Sequence, residues 1–245
     1  MSIVALAAVT LLQVNAGPGL LAKHAATLGN AKSLTVDFTV ERLPAAPENY
    51  RLVYSKPNQL RIEYPGGMMM TDGTTLWEYD KAKNEYLEGP GDLASLTKKI
   101  NSNEYYAWAS FFFPDNLKGP MKSAVSGRKI SMAGTPVTLV DFTIDSSRSL
   151  TGTFYIDEKL GAARAASVKA ARGGDSVEVL VKAQKMELSN QPADTSLFAF
   201  SPPAGSKKVE IAAGDLAKWY EDLDEGLKVA KATNRMVFVD FGAEW

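Results

Sequence analysis

The chain has 245 residues, 45% hydrophobic and 22% charged, with 27 basic against 28 acidic side chains. That length suffices for one large domain, or one domain and part of a second, with a sizeable core; the near-neutral balance and scattered Lys and Arg exclude a nucleic-acid partner, which would require a basic face. There is no cysteine and a single histidine, so thiol chemistry and thiolate metal sites are outside the residues present, and any His-based metal site or triad would have to be built on His24.

Met1 to Ala16 is an apolar run ending in Val14-Asn15-Ala16, with small or apolar residues at the third and first positions before Gly17. It reads as a signal peptide over residues 1–16, although no basic residue precedes the run. It is too short for a stable span of the ~30 Å hydrocarbon core. The expectation is an exported, periplasmic chain that does not itself span a membrane after cleavage.

Leu20 to Asn30 reads as a helix with Leu20, Leu21, His24 and Leu28 near one face and Gly29-Asn30 as its stop. His24 on or beside that face reads as a packed or surface histidine without chemistry. Ser33 to Arg42 then alternates as a strand, with Leu34, Val36, Phe38 and Val40 on one side. Tyr50 to Ser55 turns Tyr50, Leu52 and Tyr54 inward, and Leu60, Ile62 and Tyr64 alternate with Gln59, Arg61 and Glu63. Pro65-Gly66-Gly67 breaks that run; Met68, Met69 and Met70 follow; Asp72-Gly73 supplies a tight turn before a third run, Thr74 to Asp80, that carries Trp77 and Tyr79 on one face.

Asp92 can cap a short helix bearing Leu93, Leu96 and Ile100, and Asn103 a second one with Tyr105, Trp108, Ala109 and Phe112 at helical spacing. Strands resume at Ser126 to Met132, Val137 to Asp145, Leu150 to Asp157, the Ala-rich Ala163 to Ala171, and Ser176 to Leu188, whose inward set changes phase near Gln184 as a β-bulge would require. Ser196 to Ser201 is read as a last strand before Pro202-Pro203-Ala204-Gly205. About ten or eleven antiparallel strands without helical crossovers imply a mainly β (α+β) fold, a barrel or strongly curved half-barrel with the two short helices over one end and either packed core or a cavity inside.

Three segments carry a resemblance. They are Lys56-Pro57-Asn58 with the Leu60 to Tyr64 strand, Thr71-Asp72-Gly73-Thr74-Thr75-Leu76-Trp77-Glu78-Tyr79-Asp80, and Leu197-Phe198-Ala199-Phe200-Ser201-Pro202-Pro203-Ala204-Gly205. In that order they resemble the bacterial periplasmic lipoprotein-carrier family, the LolA/LolB-like proteins, over roughly Leu20 to Val209. The resemblance implies a half-open antiparallel β-barrel with a helical lid over an apolar cavity that holds lipoprotein acyl chains or another apolar ligand, with envelope proteins as further partners and no cofactor. Leu60, Ile62, Met68, Met69, Met70, Trp77, Trp108 and Phe112 are the candidate lining, thioethers and flat rings being suited to flexible chains. For the methionines, ordinary core filling is the equal alternative. In the carriers an arginine before Pro-Asn latches the lid. Lys56 stands at that position here, a point charge without Arg's planar fork, which implies a weaker latch or none. Sensing of envelope lipids or lipoproteins is a further alternative.

Beyond Val209 the pattern changes. Asp215 can cap a helix bearing Leu216, Trp219, Tyr220, Leu223, Leu227 and Ala230, and Met236 to Phe241 is a dense apolar strand. Val239-Asp240-Phe241-Gly242-Ala243-Glu244-Trp245 resembles the thioredoxin strand leading into Trp-Cys-x-x-Cys. The expected organisation is therefore a carrier-like barrel over 17–208 and the start of a thioredoxin-like domain over 209–245, so that a periplasmic thiol-disulfide oxidoreductase is the alternative function of a longer protein. A natural helix-strand appendage to the barrel is the other reading of this tail. No catalytic group and no metal ligand set is expected among the residues present.

Overall fold

The computed structural model describes residues 16–42, 44–100, 111–113, 121–144, 150–172, 175–209, 220 and 222–233. The chain divides into two compact units, Met1–Lys208 and Val209–Trp245. In the first, α1 (Gly17–Asn30) has Pro18 in its opening turn, where a missing N–H costs nothing. Six strands follow: β1 (Ser33–Arg42), β2 (Glu48–Ser55), β3 (Gln59–Tyr64), β4 (Gly67–Thr71), β5 (Thr75–Asp80) and β6 (Glu85–Pro90). Helix α2 (Leu93–Ile100) leads to β7 (Met121–Met132), β8 (Thr135–Ile144), β9 (Leu150–Asp157), β10 (Ala162–Arg172) and β11 (Asp175–Ser189), then a 3-10 turn at Thr195–Phe198 and β12 (Lys207–Val209).

All twelve strands form one sheet in the order β12-β6-β5-β4-β3-β2-β1-β11-β10-β9-β8-β7. Two meanders thus meet where β1 pairs with β11, and the ladders from β6 through to β7 are antiparallel. Asp37 pairs with Lys185 but Phe38 with Ala183, which leaves Gln184 as the bulged residue that the phase change implies. A second bulge lies at Arg164, between Ala163 and Ala165. Such bulges sharpen local twist and bend the strand. The curvature shows in the core. Leu60, Ile62, Met69 and Leu76 from one meander and Val140, Phe142, Phe154 and Ile156 from the other belong to a single buried cluster with Leu96 and Ile100 of α2. A flat sheet would hold those two sets far apart. The mainly β, half-open architecture with helices over its inner face is therefore as expected, with twelve strands instead of ten or eleven.

The differences have physical causes. Glu85–Pro90, half exposed and ending in Gly-Pro, lacks an alternating signal yet pairs with β5 along its whole length. Ser196 to Ser201 is no strand: Asp194 caps Ser196 N–H at 2.9 Å and a 3-10 turn forms. In the second unit, α3 (Leu223–Thr233) starts where Asp222 Oδ1 accepts from Glu225 N–H at 3.0 Å. Tyr220, expected within a helix from Asp215, is not helical. Residues 210–219, the strand expected at Met236 to Phe241, residues 1–15 of the leader expected over 1–16, and residues 103–110 of the helix expected from Asn103, Trp108 among them, lie outside the described residues.

Candidate functional site

Strand parity decides which predicted residues share a face. Ile62 stands opposite Met69, and Leu60 opposite Thr71, which in turn faces Leu76. Leu60, Ile62 and Met69 therefore point into the curve, fully buried in the common core with Phe38, Leu52 and Phe112. Met68 and Met70 stand opposite Glu63 and Arg61 on one side and Tyr79 and Trp77 on the other. The expected lining thus splits, and Met68, Met70 and Trp77 lie on the outer face. There the segment after β11 crosses the sheet. Phe200 stacks on Trp77 at 5.3 Å, Arg61 donates to the Leu197 carbonyl at 3.3 Å, and Phe198 is wholly buried. Met70 has no solvent exposure because this strap covers it, although it does not belong to the inner core.

Inside the curve a cavity of about 190 Å³ lies between α1, α2, β1 and the Phe112-Phe113 pair. Leu28, Leu34, Leu96 and Ile100 line it, and Tyr54 and Lys56 stand at its polar side. Of the predicted site residues, Phe112 and Lys56 border this space; Leu60, Ile62 and Met69 form packed core beside it. The aromatic filling is dense, with Phe112 edge-on to Phe38 at 4.8 Å and to Phe111 at 4.5 Å. Leu96 and Ile100 are absent from the candidate lining. The amphipathic spacing of the short α2 was the signal that could have supplied them.

The polar groups around the space hold its parts together. The Lys56 ammonium donates to the Leu28 carbonyl at 3.2 Å and to the Gly29 carbonyl, in the last turn of α1, where a cation also meets the negative end of the helix dipole. Asn58 donates to the carbonyls of Gly73 at 2.8 Å and Gly91 at 3.0 Å, which ties the β4–β5 turn to the β6–α2 connection. Gly91 has no room for a side chain, since a Cβ would sit 2.4 Å from Thr71 Oγ1. Lys99 of α2 reaches Glu78 of β5 at 2.6 Å. The Lys56-Pro57-Asn58 motif thus anchors α1 with its lysine and the α2 base with its asparagine.

His24 is buried between α1, β10 and Phe111. Its Nδ1 accepts from Ala163 N–H at 3.2 Å, and its Nε2 lies 3.2 Å from the Phe111 carbonyl. Burial, partly offset by the Phe111 carbonyl, lowers its pKa from 6.5 to about 4. It is a packed histidine, as one of the sequence readings has it. Among the described residues no group of three or more acidic or histidine side chains could hold a metal ion, and no helix is long and apolar enough to cross a membrane.

No family model matches the sequence, and no curated protein matches it. Solved structures do. MucB in complex with MucA(peri) aligns with a TM-score of 0.42 at 13% identity, over 80% of this chain and 63% of that one. Lipoprotein LppX of Mycobacterium tuberculosis aligns at 0.43 and 12% identity, over 73% of this chain and 98% of that one. A LolA superfamily protein of Nitrosomonas europaea aligns at 0.33 and 12%, over 76% of this chain and 98% of that one. At 12–13% identity and TM-scores of 0.33–0.43 these are likenesses alone and assign no role to this chain.

Proposed function

We propose that the chain is an exported, periplasmic binding protein that holds an acyl chain or a lipoprotein anchor in the apolar space between its curved sheet and its helices. The observation that carries this reading is the cavity itself, walled by aliphatic side chains of α1, α2 and β1 and by Tyr54, Phe112 and Phe113, and continuous with an apolar core. At ~0.8 kcal/mol per buried CH₂, a chain of about sixteen carbons represents on the order of 12 kcal/mol of gross hydrophobic free energy, so a water-filled compartment is crossed only under cover. The space of about 190 Å³ is smaller than the roughly 300–1,000 Å³ of ordinary ligand sites. The ligand therefore enters by displacing Phe112 and Phe113, with Leu60, Ile62 and Met69 as the floor it then reaches. Lys56 anchors α1 in the closed form. The ligand class follows from the chemistry of the wall; MucB, solved with MucA(peri), makes an envelope protein the partner class to test beside it. The test is mass spectrometry of lipid that co-purifies with the protein, with displacement of a fluorescent fatty acid. A protein that emerges empty and ignores the fatty acid refutes the reading.

A second reading is favoured by the division of the chain at Lys208 and Val209. On it, residues 17–208 are a docking module and 209–245 open a thioredoxin-like domain of a thiol-disulfide oxidoreductase. Genomic sequence beyond Trp245 without Cys-x-x-Cys removes it.

A further inference from the structure

His24 joins three parts of the molecule that are distant in sequence. It lies on α1, its Nδ1 meets the Ala163 N–H of β10 and its Nε2 the Phe111 carbonyl, contacts 139 and 87 residues apart along the chain. An amide N–H can only donate and a carbonyl can only accept, so these partners determine the tautomer: the ring is neutral, with its proton on Nε2. It is 1% exposed and caged by Phe154 at 5.4 Å and Phe111 at 6.0 Å between ring centroids. A second proton has only Nδ1 to occupy. There it would face the Ala163 N–H, donor against donor, and put a cation among aromatic side chains.

The charged groups on the neighbouring elements are committed elsewhere. On α1, Lys23 donates to the Glu158 carbonyl at 2.8 Å. In the β9–β10 turn the Glu158 carboxylate takes Lys129 at 3.0 Å and the Thr138 hydroxyl, and Asp157 takes Arg164 at 3.0 Å. β8 and β9 present Phe142 and Phe154 on the inner face beneath the ring, and the Phe111 segment offers a carbonyl. Among the described residues, burial and that carbonyl govern the ring's affinity for a proton, with no charged neighbour contributing. The same parts border the cavity, which is lined by Ala25 and Leu28 of α1 and by Phe112 and Phe113 next to Phe111.

We propose that His24 is a proton-operated latch, whose protonation at Nδ1 breaks the bond to Ala163 and releases α1 and the Phe111-Phe113 segment from β10, opening the apolar space in mild acid. The released ring regains an ordinary affinity, so the open form gains over the closed one as pH falls from 6.5 through about 4, by about 100-fold between pH 7 and 4 and by at most about 300-fold below that.

The latch does not depend on what the cavity holds, and its test needs no natural ligand. His24 is the only histidine in the chain, so its ring is a single NMR signal, and the Ala163 amide is its reporter. Hydrogen exchange at Ala163, corrected for the intrinsic pH dependence, is expected to lose protection by up to about 100-fold between pH 7 and 4, together with the ring titration and with rising fluorescence of anilinonaphthalene sulfonate. In His24→Gln the amide oxygen can accept from Ala163 and the nitrogen donate to Phe111 without titrating, so protection and dye signal should stay level over the same range. An unchanged Ala163 protection in the parent, or an equal acid step in His24→Gln, overturns the latch. Should the glutamine variant not fold, the parent alone decides: ring and amide sharing one midpoint supports the latch, and a ring that titrates while Ala163 stays protected sinks it.

Discussion

Replacing Phe112 by alanine separates a side chain that merely packs from one that occupies the ligand's place. Phe112 is 3% exposed, contacts Phe38 and Phe111, and borders the cavity between α1 and α2. Truncating a buried phenylalanine costs about 3–5 kcal/mol, part of it for the void left behind. Against a domain stability of roughly 5–15 kcal/mol, the variant should fold with a clearly lower urea midpoint. The lost ring also adds to a space of about 190 Å³, which then approaches the roughly 300 Å³ at the lower end of ligand sites. An apolar ligand present at 100 times its Kd returns about 2.7 kcal/mol, so a fluorescent fatty acid should restore more than half of the deficit. Fluorescence titration should show at least tenfold tighter binding than in the parent, and the urea midpoint of the variant should move back toward the parent's when the fatty acid is present. A variant that shows the full loss of stability, binds no more tightly than the parent and gains nothing from the ligand would refute the view that Phe112 sits where the chain enters.

Three further outcomes follow from the geometry. The unfolded chain protonates His24 near 6.5 and the folded one near about 4, so its contribution is full above pH 6.5 and is lost as pH falls toward 4, by about 3 kcal/mol; urea unfolding at pH 7 and 4 should show that excess loss in the parent relative to His24→Gln, and equal pH dependence in the two would contradict it. Lys56→Met removes the donor that holds the last turn of α1 and should cost about 1–2 kcal/mol in chemical unfolding, with faster exchange of the α1 amides, while Lys56→Arg retains most of it. The two faces of the sheet should separate cleanly: Met69→Asp buries a carboxylate in the inner core and should cost more than about 4 kcal/mol, whereas Trp77→Ala loses the stack on Phe200, about 1 kcal/mol beyond its buried area, and should leave fatty-acid affinity unchanged. A drop in affinity in Trp77→Ala with the fold intact would return Trp77 to the cavity wall.

The strand pattern of this chain is legible residue by residue because alternation is a local property. Leu34, Val36, Phe38 and Val40, or Leu60, Ile62 and Tyr64, announce both a strand and its two faces, and the one-residue phase change before Met186 announces the bulge at Gln184. The short helix with Leu93, Leu96 and Ile100 was equally open to reading, down to its cap: Asp92 Oδ1 accepts from Ala94 N–H at 2.9 Å. Alternation does not say which face looks inward when both faces are apolar. Met69 and Met70 are adjacent and fully buried, one in the core and the other beneath a strap whose Leu197 carbonyl is bonded by Arg61 from 136 residues earlier. Nothing near Met70 in sequence could reveal that cover. For the same reason β6, with no apolar period of its own, was invisible until β5 offered it a ladder.

The sequence by itself therefore determined the class of fold, the curved antiparallel sheet and the apolar character of whatever space it encloses, because these rest on patterns within ten or fifteen residues. Only the tertiary structure decided the placement of single residues. It divided the expected lining between two faces, set Lys56 on the carbonyls of α1, and turned His24 from a residue on a helix face into the joint of α1, β10 and Phe111. Each of these depends on a partner brought from far along the chain, and it is packing, through the burial and hydrogen bonds it imposes, that selects such partners.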